Sequence, residues 1–313
     1  MHVVVTGASG YIGGQVALAL SDAGHRVIGI DRRPCAARLK DVFDQFVQAD
    51  FDSDQAKTNV IQIQPAAIIH CAGTSLVGPS VKHPSDYYHN NVIKTIHLLD
   101  LVTNALPKTR FIFSSSASVY GEPILDSCSE VDPCEPISPY GESKRMIEQV
   151  LASYHRAYNL DYVAFRYFNA CGADGLGRHG QEPGATHVIA RILEATRDNK
   201  QFSLYGNDYQ TPDGTCIRDY VHVEDIAHAH LCALNAAVPS GVYNLGSDTG
   251  TSVKEILTQA AAIAGYVAVL PEPRRTGDPA VLTASAAKFN KLVPTWRRHT
   301  LDDMIQHAWS WYV

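Results

Sequence analysis

The sequence predicts an α/β protein: a Rossmann-like doubly wound parallel sheet with a smaller C-terminal substrate-binding domain. Three observations predict it. Apolar β-branched runs alternate with helical stretches over roughly the first 150 residues, the pattern of a parallel sheet with helices on both faces. A glycine turn (Gly7, Gly10, Gly13) joins the first strand to the first helix. Finally, Gly7, Asp31, Asp50, Gly73 and Ser116 all fall at carboxyl ends of expected strands, where sheets of this kind bind ligands.

The elements follow in order. His2–Thr6 is a short apolar strand, and the pattern is helical from Tyr11 to about Ala23. Between them, Gly7 permits the tight turn, Gly10 lets a pyrophosphate approach the backbone, and Gly13 lets helix and strand pack closely. The second strand, Arg26–Ile30, ends in Asp31. A carboxylate there suits a ribose 2′-hydroxyl and repels a 2′-phosphate, which favours NAD over NADP although Arg32 and Arg33 follow. Gln45–Ala49 reads as a strand ending at Asp50, which is placed to approach an adenine edge. Pro65–Cys71 reads as the next, closed by Ala72 and Gly73. A helical stretch runs from about Pro84 to Asn104 and carries Asn90, placed to donate to backbone carbonyls at the site. Arg110–Phe113 then leads into Ser114, Ser115 and Ser116.

Composition excludes several classes. With 45% hydrophobic and 19% charged residues the chain reads as a globular protein. A net charge of -6 argues against nucleic-acid binding driven by a global field. No apolar run is long enough to span a bilayer, and Met1 leads straight into a strand, so neither a membrane span nor a signal peptide is expected. The seven cysteines are scattered without a Cys-x-x-Cys pair, so no disulfide framework and no metal site are expected, and a cytoplasmic setting fits.

The chemistry is expected on Ser138-Pro-Tyr-Gly-Glu-Ser-Lys144. Ser138 suits a helix cap and Pro139 the first helical position. Tyr140 and Lys144 then lie on one helical face. An ammonium held close to a phenol favours the phenolate, so Tyr140 is expected to be tuned towards neutrality as a general base and acid. Ser116, at a strand end, is placed to bond a substrate hydroxyl and relay its proton.

These stretches resemble the extended short-chain dehydrogenase/reductase family. The matching segments are 6–13, 111–121, 138–144, 165–170, 206–209 and 213–223, and the last two resemble its UDP-sugar 4-epimerase branch. The resemblance implies NAD as a bound prosthetic group and inversion at C4 of UDP-glucose or UDP-galactose through a 4-keto sugar. It implies Tyr140 as base, Ser116 as its partner and Lys144 on the nicotinamide ribose. Tyr11, Ile12, Phe51, Cys71, Ala72, Asn90, Ser114 and Tyr167 join the implied cofactor set. Asn169, His187, Arg218, Arg275 and Asp278 form the implied substrate set, with the arginines on the diphosphate and Asp278 on the uridine ribose. A homodimer is also implied. Ser75 stands where many members carry a phosphate-binding lysine, and Leu282 where residue size bears on tolerance of an N-acetyl group. Domains are expected at 1–170, with a return of 222–247, and at 171–221 with 248–313. His222 to about Ala237 reads as a helical segment, Gly241–Gly246 as a strand and Leu301–Val313 as a closing helix. The alternatives are a 4-epimerase of another UDP-sugar (an N-acetylhexosamine or a pentose), a nucleotide-sugar dehydratase, or an NAD-sensing regulator without turnover. Dehydratases carry an acidic pair after the serine position, where this chain has Ala117 and Ser118.

Overall fold

Among the described residues, the main sheet has seven strands. They lie in the spatial order Gly241–Leu245, Tyr162–Tyr167, Arg110–Ser116, Ala67–His70, His2–Thr6, Arg26–Asp31 and Gln45–Gln48. The computed structural model describes residues 1–123, 127–235, 237–275 and 278–313. The strand His2–Thr6 pairs in parallel with Arg26–Asp31 on one side and with Ala67–His70 on the other. Chain order therefore runs outward from His2–Thr6 and then restarts across it, so Gly7 sits at the point where the winding reverses. Val3, Val4 and Val5 are fully buried, as a strand covered on both faces requires.

Contacts divide the chain into two units, each with its own core. The first comprises 1–121, 133–166 and 227–243; the second comprises 122–132, 167–226 and 244–313. The first core gathers Val4, Ile30, Ile68, Leu98, Phe111, Phe113, Ile147 and Leu151 from sheet and helices. The second gathers Ile189, Ile192, Leu193, Ile256, Met304 and Ile305 from the helices Val188–Arg197, Val253–Ala264 and Leu301–Tyr312. Two of those helices begin with reciprocal caps, Ser252 with Glu255 and Thr300 with Asp303.

Some boundaries differ from the sequence expectation. Residues 122–132 cluster with the second unit, where Ser127–Cys128 pairs with Val281–Ala284. Residues 167–170 also cluster there, because Asn169–Cys171 adds to the strand Ile217–His222. The returning segment is 227–243, and its helix is Val223–Ala233; Ala236, inside the expected helical segment, lies outside the described residues. The helix expected over Pro84–Asn104 is not uniform. It opens into a wider π-turn at Tyr88–Ile93 between two α-helical stretches. In an α-helix neighbouring side chains diverge by about 100°. Within this turn the consecutive Asn90 and Asn91 are both buried. No helix among the described residues is long and apolar enough to cross a membrane.

Candidate active site

The helix Pro139–Tyr158 begins as its sequence demands. Ser138 is its cap, accepting from the Gly141 amide at 3.2 Å, and Pro139 opens the first turn. This fixes Tyr140 at the helix mouth, buried, with its ring edge-on to Tyr87 at 6.4 Å between centroids. The Ser116 side chain lies close enough to the Tyr140 phenol to favour its ionised form. Ser116 ends its strand and accepts from the Ser118 amide at 3.2 Å, which orients the hydroxyl. Gly141 makes this approach possible. A Cβ there would stand 2.4 Å from the Ser118 carbonyl oxygen.

Lys144 lies one turn on and is buried. Its Nζ donates to the Ser114 carbonyl at 2.8 Å and sits 4.8 Å above the Phe113 ring. The Tyr140 ring centroid is 5.9 Å away. The expectation that Lys144 tunes the phenol downward is corrected here. Burial raises the Tyr140 pKa above its ordinary value, the Ser116 side chain opposes this, and Tyr87 adds to the rise. Lys144 itself falls to about 8, driven by burial and opposed by Cys71 and Glu148. The protein alone thus holds a neutral phenol beside a weakened ammonium.

Asn90 does not bond a backbone carbonyl as expected; its amide donates to the Thr74 hydroxyl at 3.1 Å. Asn91 takes that part. It accepts from the Thr74 amide at 2.8 Å and donates to the Thr74 carbonyl at 3.0 Å and to the Ser143 hydroxyl at 3.0 Å. It therefore ties the segment after Gly73 to the Tyr140 helix. The Asn-Asn pair was the available signal, but choosing between neighbours needs the π-turn.

The glycine turn fits a dinucleotide. Gly7 takes a left-handed φ of +70°, and a Cβ on it would strike the Ala72 amide nitrogen at 2.7 Å; a Cβ on Gly13 would lie 2.2 Å from the Gly7 carbonyl oxygen. No side chain caps the helix Tyr11–Asp22, which starts at Gly10, so the Tyr11, Ile12 and Gly13 amides sit at a helix N-terminus suited to a pyrophosphate. Asp31 is buried and accepts from the Ser9 amide at 3.0 Å and the Arg33 amide at 2.9 Å. Its carboxylate therefore faces the glycine turn, and Arg33 folds back on it at 3.4 Å. Asp50 receives Lys94 at 2.6 Å; burial pushes its pKa up, but the Lys94 bond and others bring the net shift down. The Phe51 ring is in the core, edge-on to His70 at 4.8 Å. The Cys71 thiol is pushed up to about 11 by burial, against the Ser114 hydrogen bond. A Cβ on Gly73 would meet Asn91 Oδ1 at 3.1 Å and Lys144 Nζ at 3.7 Å, so this segment borders the lysine directly. Tyr167 ends the strand Tyr162–Tyr167 and is half-buried.

A family model described as NAD dependent epimerase/dehydratase family matches residues 3–246. The chain belongs to this family. Among its relatives, the UDP-glucose 4-epimerase of Halalkalibacterium halodurans is 40% identical over 100% of this chain and 96% of its own length. The chain is also similar to two crystal structures. One is UDP-glucose 4-epimerase from Brucella ovis in complex with NAD (37% identity, TM-score 0.92, covering 99% of this chain and 97% of that one). The other is UDP-glucose-4-epimerase from Stenotrophomonas maltophila with bound NAD and formylated UDP-arabinopyranose (32% identity, TM-score 0.93, 99% and 97%).

In this member of the epimerase/dehydratase family, the second unit carries the remaining expected residues. Arg218 is buried and forms an ion pair with Asp278, so two expected substrate residues already meet. It also donates to the Ile217 carbonyl at 2.8 Å. The Arg275 guanidinium stacks over Tyr205 at 4.0 Å, and hydrogen bonds from Arg191 and Arg275 lower the Tyr205 pKa. Asn169 spends its amide on the Asp219 carbonyl at 2.7 Å. His187 precedes the helix Val188–Arg197, and burial lowers its pKa. No local sequence pattern marks Tyr205 and Arg191, because Tyr205 meets Arg191 and Arg275 across distant segments.

Proposed function

We propose that this protein interconverts UDP-glucose and UDP-galactose by inverting C4, with NAD as a bound prosthetic group. The observation that carries the reading is the buried Tyr140 phenol next to Ser116, with Lys144 on the same helix face beside Gly73. Gly7, Gly10, Gly13, Tyr11, Ile12 and Asp31 would hold NAD, which when bound supplies a hydride acceptor and a positive ring. Asp50, Cys71, Ala72, Gly73, Asn90, Ser114 and Tyr167 would complete its surroundings.

In this reading Tyr140 takes the proton of the sugar 4-hydroxyl as C4 loses its hydride, which bound NAD would accept; after the sugar turns, Tyr140 returns the proton to the keto oxygen while the hydride would come back to the other face of C4. Ser116 donates to the forming phenolate and steers the proton. Lys144 holds the cofactor ribose and adds positive charge. Burial opposes the phenolate here, so a bound cation must supply most of the counter-effect. Arg218 and Arg275 suit the diphosphate because a guanidinium binds phosphate bidentately. Asp278 suits the uridine ribose, with Asn169 and His187 beside it. Fixing the nucleotide leaves the sugar free to turn, which inversion requires.

A homodimer, as the resemblance implies, in a cytoplasmic setting, which the scattered cysteines fit, completes the proposal. Light scattering of the purified chain tests the dimer. The main test is a panel of UDP-sugars followed by NMR at C4. Turnover of UDP-galactose to UDP-glucose without added oxidant is expected, and none would sink the reading. A second reading, a UDP-pentose 4-epimerase, is favoured by the similar structure that holds a UDP-arabinopyranose derivative. Faster turnover of UDP-xylose or UDP-arabinose in the same panel would select it.

A further inference from the structure

The second unit holds a cluster of imidazoles and carboxylates that the proposed reaction does not use. His222 ends the strand Ile217–His222, and Glu224 and Asp225 follow in the first turn of the next helix. His299 precedes the closing helix Leu301–Tyr312, and His307 stands on it. One donor atom from each of His222, Glu224, His299 and His307 lies within 4.8 Å of all the others. His222 is fully buried and the other three are partly so.

Hydrogen bonds aim these atoms. His299 Nδ1 meets Asp225 Oδ1 at 2.8 Å, which turns its Nε2 to Glu224 Oε2 at 3.1 Å. Asp225 is itself held by the amides of Arg298 and His299 at 3.0 and 3.2 Å. Glu224 Oε1 accepts from the Gly175 amide at 3.2 Å, leaving Oε2 directed into the cluster. The Glu224 amide donates to His222 Nδ1 at 3.0 Å, so the proton of neutral His222 resides on Nε2. That Nε2 lies 3.0 Å from His307 Nδ1, which must then present a lone pair. The His222 and His299 rings stack at 4.0 Å.

We propose that His299 Nε2, His307 Nδ1 and Glu224 Oε2 bind one divalent transition cation, with zinc the best match. Imidazole nitrogen and carboxylate oxygen are zinc ligands at about 2.0–2.2 Å, and tetrahedral geometry then separates ligand atoms by about 3.3 Å. The 3.1 Å between His299 Nε2 and Glu224 Oε2 already approaches that spacing, and His307 brings a ring nitrogen within 4.8 Å of the donor atoms of both. Asp225 behind His299 is the carboxylate–histidine arrangement that orients metal-binding imidazoles. His222 Nε2–H is not a ligand; without the cation it donates to His307 Nδ1, the lone pair that the cation would take over. The cation's consequence is mechanical: it ties the closing helix to the start of the helix Val223–Ala233.

The test uses the full chain, stripped with a chelator and titrated with zinc against a chromophoric competitor. One equivalent is expected to bind at micromolar concentration or tighter, with a rise in melting temperature. Cobalt in its place is expected to give the strong visible bands of a four-coordinate site. His299→Ala and His307→Ala are each expected to weaken binding at least about tenfold, and Asp225→Asn about tenfold. Glu224→Gln keeps the shape and the Gly175 bond, so it decides the matter if a histidine variant fails to fold. Its expected loss is also at least about tenfold. Absence of stoichiometric binding, or affinity that survives Glu224→Gln and the folded histidine variants within twofold, would overturn the site.

Discussion

Tyr140 is a poor base in the surroundings its own fold gives it. Burial raises its pKa, and Lys144 directs its ammonium to the Ser114 carbonyl rather than to the phenol. Ser116 is then the main local group favouring the phenolate. Tyr140→Phe is expected to abolish turnover while leaving NAD and UDP binding intact, measured by fluorescence and calorimetry. A variant that still turns over would remove Tyr140 as the base. Ser116→Ala is expected to lower kcat by about 10²-fold with KM little changed, the size of one positioned proton-transfer partner. A wild-type rate would show that Ser116 is only a strand-end cap. The residue types were legible in the sequence, because Tyr140 and Lys144 share a helical face. The sign of the tyrosine shift was not, since it depends on burial and on where the lysine's hydrogen bond goes.

At the scale of elements, the Tyr140 helix is also a seat for a strained charge. The folded pKa of Lys144 is about 8, below its ordinary 10.5. The folded chain therefore releases this proton first as pH rises. Between about pH 8 and pH 10.5 the unfolded chain binds more protons, so this group makes stability rise with pH, by about 3 kcal/mol across the window. Cys71 has a raised pKa and pulls the other way, so the readout is a difference curve. Lys144→Met is expected to be more stable than the parent below pH 8, in the absence of NAD, with the advantage fading towards pH 10.5. Denaturant melts across that range check it, and a constant difference would refute the buried ammonium. The same helix depends on Gly141. Gly141→Ala would drive a methyl to 2.4 Å from the Ser118 carbonyl, pushing Tyr140 from Ser116. A drop in kcat of about 10²-fold with unchanged far-UV circular dichroism is expected; an unchanged kcat would mean the loop yields freely. The cap, the proline and this glycine could all be read from local sequence. The π-turn could not, because no local pattern marks it and the bonds its asparagines make to Thr74 and Ser143 join remote segments.

At the scale of the whole molecule, the chain completes neither unit in one pass. The first unit needs residues 227–243 to return after about half of the second has been made. That return puts Gly241–Leu245 at the end of the main sheet beside Tyr162–Tyr167, whose residues are otherwise buried. It also sets His230 5.0 Å from Phe165 and supplies the carbonyl of Asn235, which receives Arg110 at 3.2 Å. This architecture was legible for the first half, where strand and helix alternate with local glycine signals. It was legible only in outline for the second. There the strands are short, and pairings such as Thr283 with Ser127 join remote segments. The His222–His307 contact likewise spans 85 positions, which no local pattern marks. A chain ending at residue 226 would retain the glycine turn, Asp31, Tyr140 and Lys144, yet lose the edge strand and the partners of Phe165 and Arg110. Leaving a strand edge unpaired and a buried guanidinium without its Asn235 and Val238 carbonyl acceptors costs several kcal/mol by the usual magnitudes for such groups. That is a large share of the roughly 5–15 kcal/mol by which domains are stable. The 1–226 fragment is therefore expected to lack a cooperative thermal transition and to bind no NAD, even though every residue proposed to hold the cofactor is present. Calorimetry and NAD fluorescence on the fragment check this. A cooperative melt near that of the full chain would show that the first unit folds without its returning segment.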